Sequence, residues 1–220
     1  MTPDLVITGA VFGALAAVFV PRTADVWAAS PARSPGNRWL SGLLAGVCTA
    51  LVAAALSWRR PPHGSQDLLL LAAWMVFTVV GMSLAWIDVM IQRLPTRLIV
   101  GAAAVIAALL CLAAALGGQP SQLLAPVLAA VVLGGGYTAL VAVGASRMGM
   151  GDIRLVALTG LLLGTVGWAA VILGAALPYL LALPFAAATV SRARLTGVRK
   201  PLPFGPFLIA ATIIAGLVTR

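Results

Sequence analysis

The sequence has no glutamate, a single histidine (His63), and only five acidic residues, all of them aspartates. Charged residues of either sign make up just 9% of its 220 positions. Each scarcity removes a class of chemistry. A zinc protease of the HExxH type needs a glutamate between two histidines, and a serine or cysteine hydrolase of the histidine-assisted kind needs a histidine beside its nucleophile. His63 instead lies in a short gap between two apolar runs. Cysteine is nearly absent too. Cys48 and Cys111 stand far apart inside apolar runs with no CxxC pair, so a structural zinc site is not expected and both read as small packing residues.

Apolar residues are what the chain has in abundance. They make up 62% of it, with a mean hydropathy of +1.09. Such a chain cannot cover a globular surface with polar groups, so lipid must be the solvent for most of it. The expectation is an all-α polytopic membrane protein, one integral membrane domain over residues 1–220. Apolar runs of about spanning length predict eight helices, near 5–20, 39–58, 68–87, 97–116, 123–144, 153–166, 168–190 and 206–219. Helices are preferred to a membrane barrel because the runs are continuously apolar, without period-two alternation.

The net charge of +9 does not point to nucleic acid, because the basic residues form no single patch. They fall in the gaps between apolar runs, where Lys and Arg set orientation in the membrane. The N-terminus "MTPDLVITGA" has no Lys or Arg ahead of its apolar run, unlike a secretory signal, and Arg22 follows the run. A retained first helix with its N-terminus outside is therefore expected. Alternate gaps then hold Arg22, Arg33 and Arg38, next Arg93 and Arg97, next Arg147 and Arg154, and last Arg192, Arg194, Arg199 and Lys200. All of these fall inside, leaving only Arg59, Arg60 and Arg220 outside. Close helix packing is expected at the small-residue spacings Gly9/Gly13, Gly42/Gly46 and Gly160/Gly164, and along Gly134 to Gly136.

Three aspartates occupy ordinary solvated positions: Asp4 at the N-terminus, Asp25 in the first linker and Asp67 in an outside gap. Asp88 and Asp152 differ. Asp88 ends the run "LLLLAAWMVFTVVGMSLAWID", and Asp152 opens another behind the glycines of "SRMGMGDIRL". Both map to the inner membrane face. Each has an ordinary interpretation, as an interfacial charge paired with Arg93, Arg97, Arg147 or Arg154, and Asp152 also as a cap for its helix. Together they admit a sharper one. Two carboxylates on one face can share a proton, one acting as base toward water and the other as acid toward a leaving amine. Gly149 and Gly151 would let a substrate strand or the other aspartate's helix approach closely.

These residues resemble the type IV prepilin peptidases, intramembrane aspartyl proteases with a GxGD motif. Three blocks carry the resemblance, in order. They are "IDVMIQRLPTRL" around Asp88, "GMGDIRLVALTGLLLG" with Gly149, Gly151 and Asp152, and "PLPFGPFLIAA" from Pro201 to Ala211. They define a peptidase-like core over about residues 68–217. The resemblance implies that Asp88 and Asp152 are the catalytic pair and that the partner is a pilin-like precursor cut at the cytoplasmic face. It implies neither metal nor other cofactor. It also places Gly149, Gly151, Arg154, Pro203, Phe204, Gly205 and Pro206 as substrate-binding candidates. Arg154 stands where relatives often carry lysine, and a planar guanidinium is not equivalent to an ammonium. The linker from Pro21 to Arg38 has no cysteine, so the methyltransferase domain of longer relatives is not expected.

The segment with Pro203 and Pro206 also has a plainer role, ending one helix and starting the next. Two other functions compete with proteolysis. A small proton-coupled transporter would use an intramembrane carboxylate as a relay, and a pilus or secretion assembly subunit would use the aspartates only in ion pairs.

Overall fold

The computed structural model describes residues 11, 13–22, 35–59, 64–144, 149–196 and 202–219. Asp4, Gly9, Asp25, Arg33, His63, Arg147, Arg199, Lys200 and Pro201, on which parts of the sequence reading fall, lie outside them. The described residues are helical, with no strand among them. In chain order the helices are α1 (Gly13–Arg22), α2 (Pro35–Arg59), α3 (Ser65–Ile91) and α4 (Thr96–Leu116). A 3-10 turn at Pro120–Leu123 leads into α5 (Leu124–Ala142), followed by α6 (Met150–Leu163), α7 (Trp168–Thr196) and α8 (Gly205–Val218).

Four stretches are long and apolar enough to cross a membrane: Ser65–Ile91, Thr96–Leu116, Pro120–Ala142 and Trp168–Ser191. The chain is thus an all-helical membrane protein, and among the described residues four stretches, rather than the expected eight, meet this criterion. For α6 and α8 the reason is length. α6 and α8 have 14 residues each. At 1.5 Å per residue they rise only about 21 Å, against a hydrocarbon core of about 30 Å.

α3 is the central helix. Its Met75, Phe77, Leu84 and Ile87 are almost fully buried, together with Ile99 and Ile106 of α4, Leu155, Leu162 and Leu163 of α6, and Leu208 of α8. α1 and α2 form a smaller unit, with Ala16, Val20 and Ala45 packed against Val79, Met82 and Trp86 of α3.

The glycine spacings act as expected where they can be seen. A Cβ at Gly160 would stand 2.6 Å from the Ala129 carbonyl oxygen, and one at Gly164 would stand 2.5 Å from the Pro126 Cα, so α5 and α6 touch backbone to backbone. Gly42 and Gly46 make the same approach to Ala17 and Gly13 of α1. In the glycine run only Gly134 has this role, against Ala157, while Gly135 and Gly136 face open space. The cysteines depart from expectation: Cys48 and Cys111 are unpaired and lie on exposed outer helix faces rather than in packed seams.

Buried hydroxyls are satisfied locally. Thr49, Thr78, Ser83, Thr159 and Thr212 each donate to a carbonyl three or four residues back in their own helix. Asp88 is then the one buried carboxylate among the described residues.

Candidate functional site

Asp88 occupies the last turn of α3. The helix ends four residues later at Gln92, which adopts a left-handed φ of 53° and donates its backbone N–H to the Asp88 carbonyl oxygen at 2.9 Å. Pro95 then precedes α4 as its N-cap. Lacking an N–H, proline cannot prolong α3, yet its fixed φ suits the entry to α4. The block "IDVMIQRLP" is therefore a helix end and a tight turn, presenting Asp88 at one end of the bundle.

Two other chain segments reach that end. Gly205, the first residue of α8, donates its backbone N–H to Asp88 Oδ2 at 2.8 Å. Asp88 is 5% exposed, so this bond meets part of what burial takes from the carboxylate. It also sets the negative group against the positive end of α8. There is no space for a side chain at this contact: a Cβ at residue 205 would lie 2.9 Å from Asp88 Oδ2 and 3.3 Å from its Cγ. Pro206 follows in the first turn of α8, where its missing N–H costs nothing. The plainer role of the proline segment and a role in the site thus coexist. Gly205 contacts the aspartate itself.

Asp152 lies in the first turn of α6, half-buried and outside the four long apolar helices. Its Oδ2 accepts the Gly149 backbone N–H at 3.3 Å, the return half of a capping box. Burial pushes the Asp152 carboxyl up to about 6, the charge of Asp88 pushes in the same direction, and the Gly149 N–H opposes them. The two aspartates lie at the same end of the bundle, one in the last turn of α3 and the other in the first turn of α6. Gly151 shows how they are brought together. A Cβ there would meet Leu94 Cβ at 2.7 Å and the Leu94 carbonyl oxygen at 3.2 Å, so the second glycine seats α6 on the turn after Asp88. Of the two approaches anticipated for these glycines, Gly151 serves that of the other aspartate's segment.

Arg154 is exposed and pairs with neither aspartate in a salt bridge. Its Nη1 donates to Thr96 Oγ1 at 2.6 Å, fastening α6 to the first residue of α4. Sequence reasoning did not single out Thr96, although its place directly after Pro95 marks it as a helix entry. An aromatic row was also missed. Tyr137 of α5 stacks on Tyr179 of α7 with centroids 6.0 Å apart, and Tyr179 meets Phe204 at 5.4 Å. The Tyr137 hydroxyl donates to the Ala175 carbonyl. Three aromatics drawn from distant segments leave no short-range signal. Pro203 and Phe204 are half-buried in the coil leading into α8, so the aromatic row ends one residue from the amide that holds Asp88.

Among the described residues, no three His, Cys, Asp or Glu side chains gather as a metal-ligand set. What the site does contain is a pair of carboxylates in unlike environments, one held by the entry to α8 and one by its own helix cap. Such a pair can exchange a proton with a water between them. No family model matches the chain, and neither a curated protein nor a solved structure does.

Proposed function

We propose that this protein is an intramembrane aspartyl endopeptidase acting on the leader of pilin-like precursors at the cytoplasmic face of a bacterial inner membrane. The observation that carries this reading is that Gly151 seats the helix start bearing Asp152 on Leu94, in the turn directly after Asp88, so the two carboxylates share one end of the bundle. In the working state one carboxyl is ionised and the other protonated. The ionised one takes a proton from water as the water oxygen attacks the scissile carbonyl carbon. The protonated one gives its proton to the leaving amine as the C–N bond breaks. Protonation belongs to the pair, so the acid and base roles are those of a coupled dyad.

In this reading all eight helices lie in the bilayer, the short α6 and α8 sheltered by the others, with both termini outside. Asp88, Asp152 and the Gly205 amide then share the inner face with Arg93, Arg97 and Arg154. The short linker between α1 and α2 makes the protein a peptidase without the methyltransferase module of longer relatives.

The test is co-expression with pilin-like precursors from the same genome, reading precursor size for wild type, Asp88→Asn and Asp152→Asn. Shortening that needs both aspartates supports proteolysis. Shortening that persists in a well-folded Asp152→Asn protein overturns it. Uncut precursors with a pH-driven solute flux would favour the transporter reading.

A further inference from the structure

A second site lies at the opposite end of the bundle and does not depend on the peptidase reading. The start of α3, the end of α4, the 3-10 turn and the end of α6 enclose a cavity of about 340 Å³. That volume is within the range of small-ligand sites, about 300–1,000 Å³. Its walls are mostly apolar, including Leu70, Leu110, Leu123 and Pro126, and among the described residues no charged side chain lines it. Among the described residues a charged ligand head would find no partner of opposite sign there.

One edge is polar and organised. Gln66 Nε2 donates to Gln122 Oε1, and Gln122 Nε2 donates to Gln119 Oε1 at 2.9 Å. A head-to-tail row of three amides ends in one carbonyl and one NH2, whichever way the individual amides are turned. Gln66 and Gln122, the two members that line the cavity, thus offer both an acceptor and donors to a hydroxyl or an ester. The space for the row is reserved by Gly117, where a Cβ would lie 2.6 Å from Gln66 Oε1.

Depth decides the occupant. Trp58, near the end of α2, and Trp168, at the start of α7, are 73% and 48% exposed at this same end. Exposed tryptophans mark the membrane–water interface. At that depth a lipid presents its glycerol hydroxyl and ester groups, with the acyl chain beginning directly beneath. We infer that the cavity is a lipid site, taking the first part of one acyl chain against Leu70, Leu110 and Leu123 and an uncharged glycerol-ester head against the glutamine row.

The experiment uses two photoreactive probes with the same diazirine-bearing acyl chain, a monoacylglycerol and the free fatty acid. Each is added to the full-length protein in detergent, and the labelled peptides are mapped by mass spectrometry. The monoacylglycerol is expected to label peptides carrying Leu70, Leu110 and Leu123 above those carrying the outward-facing Val131 and Leu180. The fatty acid, a carboxylate in buffer at pH 8, should label the cavity peptides about fivefold less. Ala114→Phe, which fills the cavity from its buried wall, should remove the enrichment. Gln122→Leu, at an exposed position that folding tolerates, should erase the preference between the probes. Even labelling over all outward faces, or enrichment unchanged in both variants, would overturn the site.

Discussion

Gly205 donates its backbone N–H to Asp88 Oδ2 at 2.8 Å, joining residues 117 positions apart. The contact ties the entry of α8 to the end of α3 and leaves no room for a side chain. Gly205→Ala should therefore push the Asp88 carboxylate aside. A displacement of about 1 Å at a reacting group costs on the order of 10²-fold in rate, so cleavage should fall by about that factor. The check is single-turnover cleavage of a detergent-solubilised precursor by a variant that still elutes as a folded species. Wild-type cleavage by Gly205→Ala would show that Asp88 is not the reacting group.

The pH dependence has a defined sign. The Asp152 carboxyl is raised from 3.8 to about 6 in the folded protein. A raised carboxyl favours the folded state while protonated, so its contribution is full below about pH 4 and is lost as pH climbs through 6. Asp152→Asn cannot lose that contribution. Its melting temperature should gain on that of wild type between pH 5 and pH 7.5, as read by thermal unfolding in matched detergent.

The same carboxyl should shape activity. kcat/KM reports ionisations of the free enzyme, so its alkaline limb should have a midpoint near 6 and belong to the Asp88–Asp152 pair. Asp88→Asn with residual activity and an unmoved limb would assign the titration elsewhere.

Arg154 is expected to be structural first. It donates to Thr96 Oγ1 and is exposed. Arg154→Ala should cost about 0.5–1.5 kcal/mol, and Thr96→Ala should cost little more once Arg154 is gone. A double-mutant cycle on unfolding free energy measures the coupling. Additive losses would mean that the hydrogen bond contributes nothing.

The glycines should divide into two groups. Gly160→Val and Gly164→Val would drive side chains into the backbone at Ala129 and Pro126, and a loss of several kcal/mol should abolish folded yield. Gly135→Ala meets nothing and sits inside α5, so it should be neutral or stabilise by about 0.5–1 kcal/mol. Yield after size-exclusion chromatography separates the two groups.

Much of this molecule was legible in the residue order, because membrane insertion depends on local properties. Continuous apolar runs predicted helices where the described residues form them. Asp88 and Asp152 stood out because a carboxylate beside an apolar run is costly. The exposed faces of Cys48 and Cys111 were not legible, since a residue's composition does not say which side of its helix meets lipid.

The sequence by itself determined an all-helical membrane chain, two aspartates at one end of it, and glycines where backbones meet. Those follow from hydropathy, charge and the absence of a side chain, all of which act within a few residues. Only the tertiary structure decided that Gly205 holds Asp88, that Gly151 rests on Leu94, that Arg154 reaches Thr96 rather than an aspartate, and that Gln66 and Gln122 edge a cavity at the other end. Each of those contacts joins segments 56 or more positions apart. Hydrogen bonds and steric fit act over a few ångströms, so only the packing of distant helices could settle which residues meet.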